Sequence, residues 1–179
     1  SVTLLKAAEQ EQKGLIDVNC LTFGKGYQNF IVPAGGFRLP KSSVTNKEKE
    51  DKYGSIRTDE HIHMKGPGVL GFVNTLVPKS VIALLDKSQM TIEDIDLVIF
   101  HQASKAAIST LGRKLKISED KIYSNLERHG NLVSASIPVA IHEAEQEGAL
   151  KRGDRILLVG FGVGLSYGSA ILNLSLIHI

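Results

Sequence analysis

"LVIFHQASK", residues 97–105, decides the fold. Leu97–Phe100 is an unbroken apolar run of the kind found in strands covered on both faces. It ends at His101, and a helical pattern over residues 105–117, interrupted at Gly112, follows at once. Upstream, Thr91 and Asp94 form a capping-box pattern just before the strand. Downstream, residues 122–126 read as a further extended stretch, Pro138–Glu147 as a helix stopped by Gly148, and "RILLVGF" after the Gly153–Asp154 turn as another strand. This alternation of strand and helix, closed by a hairpin, predicts an α/β layered domain with a mostly buried sheet.

Further from the centre the signals change. Residues 13–23 read as a strand running into a turn at Gly24–Gly26, and "YQNFIVPAGG" as a second strand ending at Pro33. Residues 38–60 are dense in Lys, Glu, Ser and Asp and read as a polar excursion. From Met64 to Lys87, apolar residues recur at steps of three and four, predicting a helix that Pro78 kinks or splits. Residues 156–177 carry no charge and are long enough to span a bilayer. Four glycines break that stretch, and it reads as a buried hairpin rather than a membrane span.

The bulk numbers exclude several classes. The 179 residues fit a single domain, and 42% hydrophobic residues suffice for its core. A net charge of +2, with lysines interspersed among acids, argues against nucleic acid as a partner. The single cysteine, Cys20, permits no internal disulfide, which fits a reducing, cytoplasmic setting, and its strand context reads as ordinary burial. "SVTLLKAAEQ" at residues 1–10 has no signal-peptide pattern.

Three motifs carry chemistry. His101 sits at the carboxyl end of a buried strand, where α/β sheets place ligand sites, or it is a structural histidine. Asn131 in "LERHGNLVSAS" offers two N–H donors that never titrate, or it is a turn residue beside Gly130. "GFGVGLSYG", residues 160–168, is a glycine-rich bend whose N–H groups can form an anion nest, or a tight hairpin in a crowded core. The pair His61 and His63 lacks further ligands at metal spacing, so no metal is expected. His142 falls on the polar side of its helix, and His178 lies in the tail.

"HQA" at 101–103, "GN" at 130–131 followed by "SAS-x-P", and "FGVG" with "YGSA" occur in that order, roughly thirty residues apart. Together they resemble the carboxy-terminal half of β-ketoacyl-[acyl-carrier-protein] synthase III, in the thiolase superfamily, from about Gly14 to Asn173. Gln-Ala after the histidine separates the chain from chalcone-synthase-like relatives. Asn131 separates it from elongating synthases, which use a second histidine there.

The resemblance implies decarboxylative condensation of an acyl-CoA with malonyl-carrier protein in fatty acid biosynthesis, without a cofactor. His101 and Asn131 would both donate to the malonyl thioester oxygen as it becomes an enolate. The Val163 backbone N–H would help form the oxyanion hole for the acyl thioester. Leu70 would stand near the acyl tunnel. The family's basic carrier-contacting position is Ala106 here, so Lys105, Arg113 and Lys114 either meet the acidic carrier protein in its place or are solvated surface. The nucleophilic cysteine belongs to the amino-terminal half, and Cys20 does not replace it. One chain of this kind is therefore expected to form one half of a thiolase fold, a mixed five-stranded sheet with helices on its faces, inactive alone, in an enzyme that is a homodimer when whole. Rival readings are a secondary-metabolite condensing enzyme or acyltransferase of the superfamily, and a non-catalytic carrier-protein-binding domain.

Overall fold

A computed structural model describes residues 14–51 and 54–174. In chain order the elements are β1 (Leu15–Thr22), β2 (Phe30–Ile31), β3 (Lys49–Glu50), β4 (Ile56–Arg57), β5 (His63–Met64) and α1 (Gly66–Lys87). They continue with β6 (Leu97–Phe100), α2 (Lys105–Lys114), β7 (Ile122–Tyr123), α3 (Leu126–His129), α4 (Ser136–Gln146), β8 (Arg155–Gly162) and β9 (Ser166–Asn173). The chain divides into two compact units. Of the described residues, the first comprises 14–21, Val73–Phe161 and 167–174, while the second comprises Thr22–Phe72 and Gly162–Ser166.

The first unit is built on a five-stranded sheet in the order β1-β9-β8-β6-β7. β6 pairs in parallel with both β7 and β8, Val98 standing opposite Ile122 and Leu157. The three-residue connection Val163–Leu165 makes the neighbouring strands β8 and β9 antiparallel, because parallel neighbours need a long crossover. The sheet is therefore mixed. All four residues of β6 are buried, as the apolar run required. Strand alternation sends Leu97 and Ile99 to one face, where they pack with Ala140 and Ala144 of α4, Leu150 and Ile156.

Local chemistry fixes the element ends. The Thr91 box forms as read: Asp94 Oδ2 accepts from the Thr91 backbone N–H at 2.8 Å and from its hydroxyl at 3.0 Å. Those bonds hold the Asp94 carboxyl below its ordinary range. Ser104 caps α2, its hydroxyl accepting from the Ala107 N–H at 3.2 Å. Gly148 ends α4 with φ of +72°, a conformation glycine adopts without strain.

Several expectations shift. The second strand shortens to Phe30–Ile31, because Gly24–Asn29 winds into a 3-10 turn. α1 runs unbroken through Pro78. α2 continues through Gly112, which is buried; a Cβ there would lie 2.5 Å from Ile122 Cδ1, so the glycine serves close packing rather than a break. Leu126 opens a helical turn instead of ending a strand. Cys20 is exposed, not buried, since β1 is the outermost strand and most of its residues lack cover. Residues 156–174 form β8, the bend and β9. α1 is the one described helix long and apolar enough, by length and composition, to cross a membrane. Its Val73, Val77, Val81 and Leu84 are buried within the protein, as in a core helix.

In the second unit, β2 pairs antiparallel with β5, and β3 with β4. The polar excursion is mostly exposed but tied together. Buried Thr45 donates its hydroxyl to Glu60 at 2.9 Å, and the Asp59 N–H donates to the Thr45 carbonyl at 3.0 Å. His61 Nδ1 accepts from the Thr58 N–H at 3.1 Å, and His63 Nε2 lies 2.9 Å from the Thr58 carbonyl. Thr58 thus engages one ring nitrogen of each histidine in the H-x-H pair. His178 and residues 1–10 lie outside the described residues.

Candidate functional site

β6 delivers His101 to the sheet's carboxyl end. The His101 N–H donates to the Val159 carbonyl at 2.8 Å, extending the ladder by one residue, and the His101 carbonyl accepts from the Ala103 N–H at 2.8 Å. The backbone is therefore pinned on both sides. The half-buried imidazole meets Phe161 edge-on, with ring centroids 5.5 Å apart and planes at 85°. Among the described residues no group hydrogen-bonds to the ring. Burial lowers its pKa, which keeps the ring neutral near pH 7. A neutral imidazole always carries one N–H donor, and here that donor is uncommitted.

The next side chain, Gln102, is fully buried and points elsewhere. Its amide donates to the Phe100 carbonyl at 2.7 Å, and its oxygen accepts from the Ser124 hydroxyl at 2.7 Å. It ties the strand end to the segment that leads into α3. Sequence reading used Gln102 only as part of the "HQA" pattern. Its structural role was visible only as a polar residue adjoining a buried strand.

Asn131 follows α3 on an exposed loop. Gly130 takes φ of +66° and ψ of −157°, a region open essentially to glycine alone, and this turns the chain sharply before Asn131. The Asn131 Oδ1 accepts from the Val133 N–H at 2.8 Å. That bond fixes which end of the carboxamide is engaged and leaves the NH₂ group as the available end. Ser136, buried at the head of α4, accepts from the Leu132 N–H at 3.1 Å.

His101 and Asn131 both belong to the first unit, whereas Val163 and Leu70 belong to the second. Val163 opens the 3-10 turn after β8 and is 59% exposed, its carbonyl accepting from the Ser166 N–H. Leu70 is exposed on the first turns of α1. Lys105 opens α2 and is engaged by Glu127 at 2.8 Å, a pairing that raises the lysine pKa and lowers the carboxyl's. Both partners are largely solvated, so the pair adds little stability. Arg113 and Lys105 share the rim of an open groove of about 860 Å³ alongside Ile108, Ile122, Leu126 and Arg128. Among the described residues there is no cluster of three His, Cys, Asp or Glu able to hold a metal.

Known proteins resemble this chain in sequence and fold. The family described as 3-Oxoacyl-[acyl-carrier-protein (ACP)] synthase III C terminal matches residues 85–174, which hold both His101 and Asn131. Beta-ketoacyl-[acyl-carrier-protein] synthase III of Clostridium perfringens is 39% identical over 172 residues, covering 96% of this chain and 50% of that protein. The enzyme of the same name from Clostridioides difficile is 35% identical over 163 residues, covering 91% and 47%. A crystal structure of 3-oxoacyl-(acyl-carrier-protein) synthase III superposes with a TM-score of 0.87 at 38% identity, over 95% of this chain and 50% of the other. The chain thus spans about half the length of the curated relatives it matches, and its fold is that of the carboxy-terminal half of a thiolase-like enzyme. With half of its residues matched by the family's own pattern, the chain belongs to the 3-oxoacyl-[acyl-carrier-protein] synthase III C-terminal family.

Proposed function

We propose that this chain supplies the decarboxylating half of a 3-oxoacyl-[acyl-carrier-protein] synthase III, which condenses an acyl-CoA with malonyl-carrier protein in fatty acid biosynthesis. The observation that carries the reading is the state of two donors. Burial lowers the His101 pKa and so favours the neutral ring, which has no hydrogen-bond partner among the described residues, and the Asn131 carboxamide has its oxygen already occupied. Both therefore present N–H groups. As carbon dioxide leaves the malonyl unit, negative charge collects on the thioester oxygen. Two donors aimed there beforehand stabilise the enolate without reorganising. Neither adds a proton that would quench the carbanion: asparagine does not titrate, and burial disfavours the imidazolium.

The enolate carbon then attacks the carbonyl of an acyl group carried on a cysteine of the amino-terminal half, forming the C–C bond, and collapse of the adduct breaks the C–S bond and releases the cysteine thiolate. The Val163 N–H receives the oxyanion of that acyl group, and Leu70 borders the acyl chain. Lys105 and Arg113, on the exposed face of α2, meet the acidic carrier protein. The reading places the protein in the cytoplasm and its whole enzyme in a homodimer. The 179-residue chain alone is inactive in condensation for want of the cysteine half.

The test is malonyl-carrier decarboxylation by the enzyme with both halves present. His101→Ala and Asn131→Ala should each lower kcat by about a hundredfold or more, on the order of 3 kcal/mol of barrier, without raising KM in proportion. Turnover unchanged in both variants would overturn the assignment. Condensation by the isolated chain would overturn the division of labour between halves.

A further inference from the structure

An amide donor on an exposed loop is useful only if something aims it. The described residues contain such a device. Glu143 of α4 uses both carboxylate oxygens to hold the turn just before Asn131. Its Oε2 accepts from Asn125 Nδ2 at 2.7 Å and Arg128 Nη2 at 2.9 Å, and its Oε1 lies 2.6 Å from His129 Nε2. Three side chains within five residues thus converge on one carboxylate. Arg128 also reaches Glu147 at 2.7 Å and the Tyr123 hydroxyl at 3.0 Å, and that hydroxyl donates to Glu147 at 2.9 Å.

Seven residues before Glu143, two helical turns along the same face, Ser136 receives the Leu132 N–H. One face of α4 therefore grips the loop on both sides of Asn131. A surface ion cluster is ordinarily worth little. This one differs because Asn125 is only 3% exposed, and its buried amide has gone to Glu143 rather than to water. The same bonds hold the Glu143 carboxyl down at about 2, Asn125 contributing most, so it stays charged at any working pH.

We propose that Glu143 is a positioning residue for Asn131, with Asn125, Arg128 and His129 as its grips and Ser136 as the second anchor. The role rests on the functional reading above. It predicts a change in the aim of the donor rather than in substrate binding.

Two measurements test it separately. In the 179-residue chain, Glu143→Ala should speed amide exchange at Leu132 and Val133 about tenfold, leaving Ile99 and Leu158 of the central strands unmoved. The isosteric Glu143→Gln, which keeps an acceptor oxygen, should fall between the two. Unchanged exchange at Leu132 and Val133, or equal acceleration at Ile99 and Leu158, would overturn the clamp. In the enzyme with both halves, Glu143→Ala should lower kcat for decarboxylation about tenfold with KM held, and should cost nothing further in an Asn131→Ala background. Additive losses would overturn the coupling. If Asn131→Ala alone leaves turnover intact, the functional reading fails, and exchange still decides the clamp.

Discussion

The two donors are held in opposite ways. His101 is placed by backbone: a fully buried strand, a parallel neighbour on each side, and one further ladder bond to Val159. Its side chain needs no partner to be in position. Asn131 is placed by side chains: a carboxylate on α4, a serine hydroxyl, and its own bond to the Val133 N–H. Strand placement is bound to the stability of the whole sheet. Loop placement is bound to a few polar contacts near water, which can be lost without unfolding anything. The same unit thus contains one donor whose failure should be global and one whose failure should be local.

The largest expected effect breaks the strand side. Phe100 is completely buried immediately before His101. Phe100→Ala should destabilise the chain by about 3–5 kcal/mol through lost burial and the cavity left behind. Chemical denaturation would measure it, and exchange should rise together at Ile99 and Leu158, which open with the whole sheet. Loss confined to β6 would show that the strand is not part of the cooperative core.

A smaller effect lies on the loop side and depends on pH. The Glu143 carboxyl is depressed from the usual 4.5 to about 2 by its bonds to Asn125, His129 and Arg128. A carboxyl with a lowered folded pKa contributes stability fully above its unfolded value and loses it as pH falls through the folded one. The stability difference between the native chain and Glu143→Gln should therefore shrink as pH falls from about 4.5 toward 2. A difference that stayed flat through that range would show that the carboxylate is not engaged in solution.

The same contrast explains what could be read before the structure was known. β6, β8, β9 and α4 were legible because burial imposes a period on sequence: apolar runs for covered strands, steps of three and four for a covered helix face. His101 was legible through its place at the end of such a run. The Glu143 clamp was not, since Arg128, His129, Glu143 and Glu147 look like any solvated charges until α3 and α4 are brought together. Gly112 misled for a related reason, as did the split expected at Pro78. Local propensity marks them as breakers, but α1 and α2 are held by the residues they bury, and packing outweighs a single unfavourable residue. Cys20 misled because a strand's sequence does not say whether it lies at the edge.

The smallest effect sharpens the comparison from within the loop. Val133 is 72% exposed and takes φ of +54°, a left-handed conformation unusual for a β-branched residue. It buries almost nothing there. What the conformation achieves is the presentation of its N–H to Asn131 Oδ1. Asparagine enters this region far more readily, so Val133→Asn keeps the N–H in place and removes most of the strain. The chain should gain about 1 kcal/mol, seen as a higher denaturation midpoint at unchanged slope. Exchange at Val133 should slow while Ile99 stays as it was, because the relief is confined to the loop. If the midpoint fell instead, the valine side chain would be contributing contacts that outweigh its strain, and the loop would owe its shape to packing, as the strand does, rather than to polar bonds.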